Sequence, residues 1–362
     1  MALPVPRPGI LDIPLYAASE ARPGVDYAIN IGSNESALGP SPRAAGAYAR
    51  AARELHRYPE IDGRSLREAL GRHYGLDPAR IICGAGSDEL LELIGHAYAG
   101  EGDEVMYNAH GFQMYPIVAL AAGAKPVKVP ETKLTANVDA FLAAVTPRTR
   151  LVFLANPNNP TGTYLPLAEL RRLRAGLPEN VLLVVDAAYS EYVVRNDYSP
   201  GMELVDAGGN TVMTRTFSKI HALASLRLGW GYFPSAIAEV IERVRPPFNI
   251  SQAAIEAGKA ALADVAHTDR SRANNDTVLP WFSRRLAGLG LEVNPSVANF
   301  VIARFPDDKD RDAATAYAWL KERRIVVRRI VGYGLPAWLR FTIGTPAEMA
   351  AVGDALEEFL AR

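Results

Sequence analysis

Two short apolar runs constrain this chain more than anything else in it. "RLVFLANP" (150–157) and "VLLVVDAAY" (181–189) hold unbroken strings of large apolar residues, then stop at Asn, Pro or Asp. A strand with one wet face alternates polar and apolar residues, whereas a strand covered on both faces has no need to. Runs this short between turn residues read as strands buried inside a parallel sheet. Their neighbours keep the rhythm. "RIICGAG" is a strand entering a glycine turn and "SDELLELIGHAYA" a helix; "DEVMYN" is a strand, "FQMYPIVALAAG" a helix and "KPVKVP" a strand. "NTVMTRTF" is a further strand whose polar residues blur the pattern. Strands alternating with helices predict an α/β fold, a mostly parallel sheet with helices on both sides.

The flanks divide the chain. Residues 1–41, rich in Pro, Gly and Ser, read as an N-terminal arm. "SPRAAGAYARAARELHRYP" opens with Ser and Pro and reads as a capped helix; "RSLREALGRHYG" is an amphipathic helix ending at Gly75. The adjacent Pro246 and Pro247 in "RVRPPFNIS" break the alternation. They predict a large domain over 42–248 and a small α+β domain over 249–362 that packs with the arm. The small domain begins with a long helical region, about Gln252 to Gly288. "LEVNPSVANFVIARF", a helix from about Asp312 to Arg323, "IVVRRI", "WLRFTIGT" and a last helix follow.

Composition narrows the function. With Lys+Arg 39 against Asp+Glu 40 the net charge is -1, so no basic field invites nucleic acid. Cys83 is the only cysteine, which excludes an internal disulfide and a thiolate metal cluster. "MALPVPRPGILDIPLY" lacks the apolar core of a secretory signal, and no run of about 18 apolar residues offers a membrane span. A cytoplasmic enzyme acting on small molecules is the expectation.

In an open parallel sheet, ligands bind beyond the C-terminal strand ends. Those ends here supply Ser87, Phe112, Asn159, Asp186, Tyr189 and Lys219. Local readings stay open. "GAGSDELLEL" is a phosphate cradle at a helix start or a plain N-cap with Asp88 in it. Asp186 is an N-cap or a carboxylate with a cationic partner, and "NPNNPTG" is a turn or a ligand loop. Taken together the residues suit pyridoxal phosphate. Asp186 can keep a pyridine nitrogen protonated. Tyr189 and Asn159 can donate to a phenolate oxygen, and Phe112 can cover the ring. Ser87, Thr216, Ser218 and Arg227 can hold the phosphate, and Lys219 can take the aldehyde.

The elements "NPNNPTG" and "DAAYSEY", and the segment from "TFSK" to "LRLG", follow in the order and spacing of the fold-type I pyridoxal-phosphate-dependent aminotransferases. The chain resembles that family from about Asn34 to Thr345. "NESALGPSP", "RYPEIDGRSLREAL", "FQMY", "ANFV" and "GYGLPAWLRFTIGT" give it the flavour of the members that act on histidinol phosphate. The resemblance implies amino transfer between histidinol phosphate and 2-oxoglutarate, a step of histidine biosynthesis. It implies that Lys219 condenses with the cofactor and carries the proton, and that Arg227 binds the cofactor phosphate. It also implies that Tyr58 reaches the phosphate in the neighbouring subunit of a homodimer with shared sites. Arg340 resembles the arginine that grips the substrate α-carboxylate. Arg328, with Arg329 as its rival in register, resembles the one that meets the substrate phosphate or distal carboxylate. Asn34 and Asn299 carry over as further substrate contacts, as does Tyr16, although "YAASE" stands where the family often has Tyr-x-Pro-Gly-Lys. Three other readings remain: an aromatic amino-acid aminotransferase, a decarboxylase of a phosphorylated amino acid with the same cofactor, and a nucleotide-binding module built on "GAGSDE".

Overall fold

A computed structural model describes residues 4–15 and 28–362. Its central sheet has seven strands: β1 (Ile81–Gly84), β2 (Glu104–Asn108), β3 (Lys125–Val129), β4 (Thr149–Ala155), β5 (Leu182–Asp186), β6 (Thr211–Thr216) and β7 (Gly229–Tyr232). They lie in the order β1-β7-β6-β5-β4-β2-β3. Pairs among β2 to β6 are parallel; β7 runs antiparallel to both β6 and β1. The sheet is thus mixed and mostly parallel, as the alternation predicts.

The apolar runs are continuous because both faces are covered. Leu151 and Phe153 of β4 pack with Leu90 and Ile94, whereas Val152 and Leu154 pack with Leu170 and Leu173 on the other side. β5 repeats this with Leu182 and Val184 against Leu183 and Val185. Each such side chain, fully buried, stabilises by about 1.5–3 kcal/mol relative to exposure. β6 is buried along its whole length despite its threonines and Arg215. β7, "GWGY", is not anticipated by the sequence pattern, because glycine weakens strand propensity. Gly229 has a packing reason: a Cβ there would fall 2.3 Å from the Ser87 amide nitrogen.

The helices begin as their caps dictate. Helix α1 (Pro42–Ala51) is capped by Ser41, whose hydroxyl accepts from the Arg43 and Ala44 amides. Helix α2 (Arg64–Tyr74) ends at Gly75 with φ 69, and helix α3 (Ser87–Tyr98) starts after Gly86 with φ 85. The long helical region is two helices, α4 (Gln252–Leu262) and α5 (Val265–Gly288), parted at Asp264, which caps α5. Helix α4 packs on α1 and α2, and its Ala254, Ile255 and Ala257 share a core with Leu66, Leu70 and Met213. Its small side chains allow that close approach, so residues 252–262 pack with the body that precedes Pro246.

Beyond α5, Glu292–Val293, Phe300–Arg304, Trp338–Thr342 and Arg328–Arg329 form an antiparallel sheet in that spatial order. Its core joins α5 and the helix Pro346–Leu360. The short strand Ile29–Asn30 pairs parallel with Ile325–Val326 in a separate two-stranded ladder, and the Thr342 amide donates to the Ile31 carbonyl at 3.0 Å, which ties the segment leading to Asn34 to the second sheet. No helix among the described residues is long and apolar enough to cross a membrane.

Candidate active site

The C-terminal ends of β1, β4, β5 and β6 meet the second sheet around a cavity of about 270 Å³. Asp186, the last residue of β5, stands at its floor and is 4% exposed. Burial pushes its carboxyl up to about 6, and the hydrogen bond from Tyr115 opposes that shift. Tyr115 donates to Asp186 Oδ2 at 3.0 Å, while Oδ1 is buried with no protein partner. A buried carboxylate oxygen with no donor is costly unless a ligand supplies one. Phe112 lines the same end, edge-on to Tyr115 at 5.8 Å.

Lys219 follows β6 by three residues and donates to the Ser33 carbonyl at 3.2 Å. Burial, with the nearby Arg340 charge acting in the same sense, lowers its amine to about 8. Such an amine is uncharged often enough to attack a carbonyl near neutral pH. Tyr189 lies beside it, 4% exposed, its hydroxyl accepting from Asn34 Nδ2 at 2.9 Å. The Tyr189 proton is therefore left to be given to a ligand. Asn34 is itself held with φ 55 by Thr342 and by Asn299 Nδ2, which donates to the Asn34 carbonyl at 3.1 Å.

Ser87 opens α3, whose first amides and dipole favour an anion. Ser218 accepts from Arg227 Nη1 at 3.4 Å, and its amide donates to Thr216 Oγ1 at 3.1 Å. Arg227 also donates to Asp88 Oδ2 at 3.1 Å, so Asp88 orients the guanidinium instead of facing an anion itself. Gly86, with φ 85 and ψ 166, holds a backbone conformation that side-chain-bearing residues rarely adopt, so this cradle favours glycine, and a Cβ there would also displace the Arg227 guanidinium. Opposite lie the arginines of the second sheet. Arg340, 4% exposed, donates to Asn159 Oδ1 at 2.6 Å and to the Gly32 carbonyl at 2.9 Å. Arg328 is its register partner across the strand pair, so both side chains leave the same face and both line the cavity.

The set fits an aromatic nitrogen heterocycle with a phosphate arm and an aldehyde. Asp186 Oδ1 lacks a donor, Tyr189 has a proton to give, the start of α3 is an anion cradle and Lys219 carries a depressed amine.

Of the residues singled out in the sequence, the cavity gathers Asn34, Ser87, Asp88, Phe112, Asn159, Asp186, Tyr189, Thr216, Ser218, Lys219, Arg227, Arg328 and Arg340. Arg329 is exposed and lies across from Leu339, outside the lining. Asn299 is buried behind Asn34 and does not line the cavity. Tyr58 is 85% exposed at the surface, its ring 4.8 Å from Phe248. Tyr16 lies outside the described residues. Sequence reasoning missed Tyr115 and Tyr333. Tyr115 has a signal, one helical turn beyond Phe112 at the start of the helix Met114–Ala122, and so on the same side of it. Tyr333, in the turn Val331–Tyr333, lines the cavity with Arg328 and has no such signal.

Comparison with known proteins agrees with this fold. The family model for aminotransferase class I and II matches residues 27–356. Histidinol-phosphate aminotransferase of Paramagnetospirillum magneticum is 56% identical over 361 residues, covering 99% of both chains. The same enzyme of Rhodospirillum centenum is 54% identical over 361 residues, again covering 99% of both. Among solved structures, histidinol-phosphate aminotransferase from Sinorhizobium meliloti in complex with pyridoxal-5'-phosphate superposes with a TM-score of 0.90 at 31% identity. That match covers 99% of this chain and 98% of the other.

Proposed function

The chain belongs to the aminotransferase class I and II family, and we propose that it moves an amino group between histidinol phosphate and 2-oxoglutarate as a step of histidine biosynthesis, with pyridoxal 5'-phosphate as cofactor. The observation that carries the substrate reading is the pair Arg328 and Arg340, register partners lining the cavity that holds Lys219. A pocket with two guanidinium groups suits an amino donor that is anionic at its far end.

The bound cofactor supplies an electron sink for the substrate's α-carbon. The chain's own residues do the rest. Asp186 holds a proton on the ring nitrogen, and its now paired carboxylate stays ionised. Tyr189, oriented by Asn34, donates to the phenolic oxygen, with Asn159 beside it. Ser87, Thr216, Ser218, Arg227 and the α3 amides bind the phosphate, and Phe112 covers the ring. Lys219 takes the proton from the substrate α-carbon. Arg340 grips the α-carboxylate of glutamate through two parallel hydrogen bonds. Arg328 meets the phosphate of histidinol phosphate, or the distal carboxylate of glutamate. Asn299 acts through Asn34, and Asp88 through Arg227.

The arm (1–41) brings Gly32 to Asn34 to this site, the large domain (42–248) brings Lys219 and the cradle, and the small domain (249–362) brings both arginines. We read the enzyme as a cytoplasmic homodimer. Its one thiol, on buried Cys83, asks for no oxidising compartment. Exposed Tyr58 stands against Phe248, whose amide donates to the Ile61 carbonyl, and these exposed apolar side chains are a surface that a second copy would cover, from which Tyr58 would reach the partner's phosphate site.

The test is a panel of amino donors with 2-oxoglutarate, read as glutamate formed, with imidazole-acetol phosphate and glutamate for the reverse direction. Histidinol phosphate should give the highest kcat/KM. A higher value for phenylalanine or tyrosine would overturn the reading in favour of an aromatic aminotransferase. Release of carbon dioxide from a phosphorylated amino acid without glutamate formation would favour the decarboxylase.

A further inference from the structure

Behind the active site lies a second polar cluster that the chemistry above does not use. β6 alternates: Thr214 and Thr216 face the side of Val212, whereas Arg215 faces the side of Met213. Arg215 Nη2 meets Glu191 Oε1 at 2.8 Å, with the two side chains 5% and 8% exposed. The guanidinium lies over the rings of Tyr74, at 4.4 Å, and Trp230, at 5.4 Å. Glu191 belongs to the one-turn helix Ser190–Tyr192, which begins directly after Tyr189. A second arginine fastens the same turn: Arg272 Nε of α5 donates to the Glu191 carbonyl at 2.8 Å. A cavity of about 290 Å³ opens beside the pair, lined also by His73, His221 and Asp269.

Buried ion pairs are poor sources of stability, since apolar side chains of similar volume often serve as well or better. What this pair does supply is direction. It ties the turn that carries Tyr189 to β6, the strand that leads into Ser218 and Lys219, and it does so from outside the pocket. We propose that the Glu191–Arg215 pair is a positioning device. It aims the Tyr189 hydroxyl at the cofactor's phenolic oxygen from the opposite face of the sheet. The inference rests on the cofactor reading given above.

A hydrogen bond donated to a phenolate favours its deprotonated form, so losing that bond raises the pH at which the lysine-bound cofactor changes its visible absorption. The experiment is a spectroscopic pH titration of the purified holoenzyme. Tyr189→Phe removes the donor and should raise the midpoint by about one to two pH units, the scale of a hydrogen bond to a charged group. Glu191→Gln keeps the shape and loses the charge; its midpoint should rise by about half a unit or more. Should Glu191→Gln fail to fold, the double variant Glu191→Leu/Arg215→Met leaves no lone buried charge and should show the same rise. The deciding comparison is Tyr189→Phe/Glu191→Gln against Tyr189→Phe alone, where no further rise is expected because the pair acts through Tyr189. A folded Glu191→Gln or double-replacement protein with an unmoved midpoint overturns the inference. So does a full extra rise in the Tyr189→Phe background. An unsubstituted protein that binds pyridoxal phosphate with no visible band would instead sink the cofactor reading itself, and the inference with it.

Discussion

The Tyr115 hydroxyl donates to Asp186 Oδ2 across 3.0 Å, in a place that solvent does not reach. The bond holds the carboxylate still and leaves its other oxygen for a ligand. It also opposes the burial that drives the carboxyl up to about 6. Tyr115→Phe should therefore raise that value further and lower turnover severalfold, the scale of one hydrogen bond worth about 1 kcal/mol. Asp186→Asn should be far worse, because it removes the charge that keeps the ring nitrogen protonated. Its loss should fall on kcat more than on KM. Steady-state kinetics of both variants is the check; an unchanged kcat in Asp186→Asn would reduce that residue to a helix-entry cap.

Lys219→Ala keeps the phosphate cradle and the Asp186 contact, so cofactor should still bind without a covalent bond. Turnover should drop by several orders of magnitude, since both the nucleophile and the proton carrier are gone. Borohydride should fix cofactor to the unsubstituted chain and not to the variant. A variant with half the normal kcat would show that another residue does the chemistry.

The two buried groups also predict the pH dependence of the cofactor-free protein. Lys219 falls from 10.5 to about 8, chiefly by burial, so between those values the unfolded chain binds more protons and stability rises with pH. Asp186 rises from 3.8 to about 6, so between those values the folded chain binds more protons. Its contribution is present below 3.8 and is lost as pH rises through about 6. Denaturant titrations across both windows should show these slopes, the upper one missing in Lys219→Met and the lower one in Asp186→Asn. Identical slopes in variant and parent would mean that neither group is buried in the folded apo chain.

Much of this fold and site is legible in the amino-acid sequence, and the reasons are local. The unbroken apolar runs of β4 and β5 follow from a sheet covered on both faces, and the polar residues after them from where parallel sheets bind ligands. β7 is not legible, because Gly229 is there to let α3 pass close, a demand that propensity cannot express. The packing of α4 on α1 and α2 is hidden as well, since an alanine-rich face carries no mark of its partner. The spacing of Tyr115 from Phe112 brings it near the site, but that spacing does not separate an aromatic that supports a carboxylate from one that fills a core. The choice between Arg328 and Arg329 turns on the strand pairing with Arg340 and Leu339, which is a long-range contact.

Tyr58 separates a one-chain site from a shared one. If it serves the partner's pocket, a Tyr58 variant and Lys219→Ala carry lesions on different chains of one site. Two impaired homodimers, mixed and re-associated, should then regain activity, since one of the two hybrid sites carries neither lesion. At most about a quarter of parental activity is expected from a random mixture, half the dimers being hybrids with one intact site each. Tyr58→Phe must itself be strongly impaired for a clear readout; Tyr58→Ala serves if it is not. No recovery despite proven subunit exchange would place Tyr58 in its own chain's site or in none.

The arginine pair decides the substrate. A phosphate monoester is close to a dianion at neutral pH and offers three acceptor oxygens, whereas an aromatic side chain offers no anion at all. Arg328 and Arg340 face the cavity from adjacent strands, and Arg340 stands against Asn159 and Gly32, beside the residues assigned to the cofactor ring and so close to where the α-carboxylate must lie. Arg328 is thus the one assigned to the far end. Arg328→Ala should lose a charge-assisted hydrogen bond of about 1.5–3 kcal/mol, or roughly tenfold to a hundredfold in kcat/KM. The loss should fall on histidinol phosphate and on glutamate, and phenylalanine and tyrosine should be nearly spared. Arg340→Ala should instead damage every donor with an α-carboxylate. Histidinol phosphate has none, and should suffer only as far as its phosphate also reaches that guanidinium. The measurement is kcat/KM for the four donors in both variants. An equal loss on phenylalanine and histidinol phosphate in Arg328→Ala would mean that the far end holds no anion, and the aromatic aminotransferase reading would take the place of the one proposed.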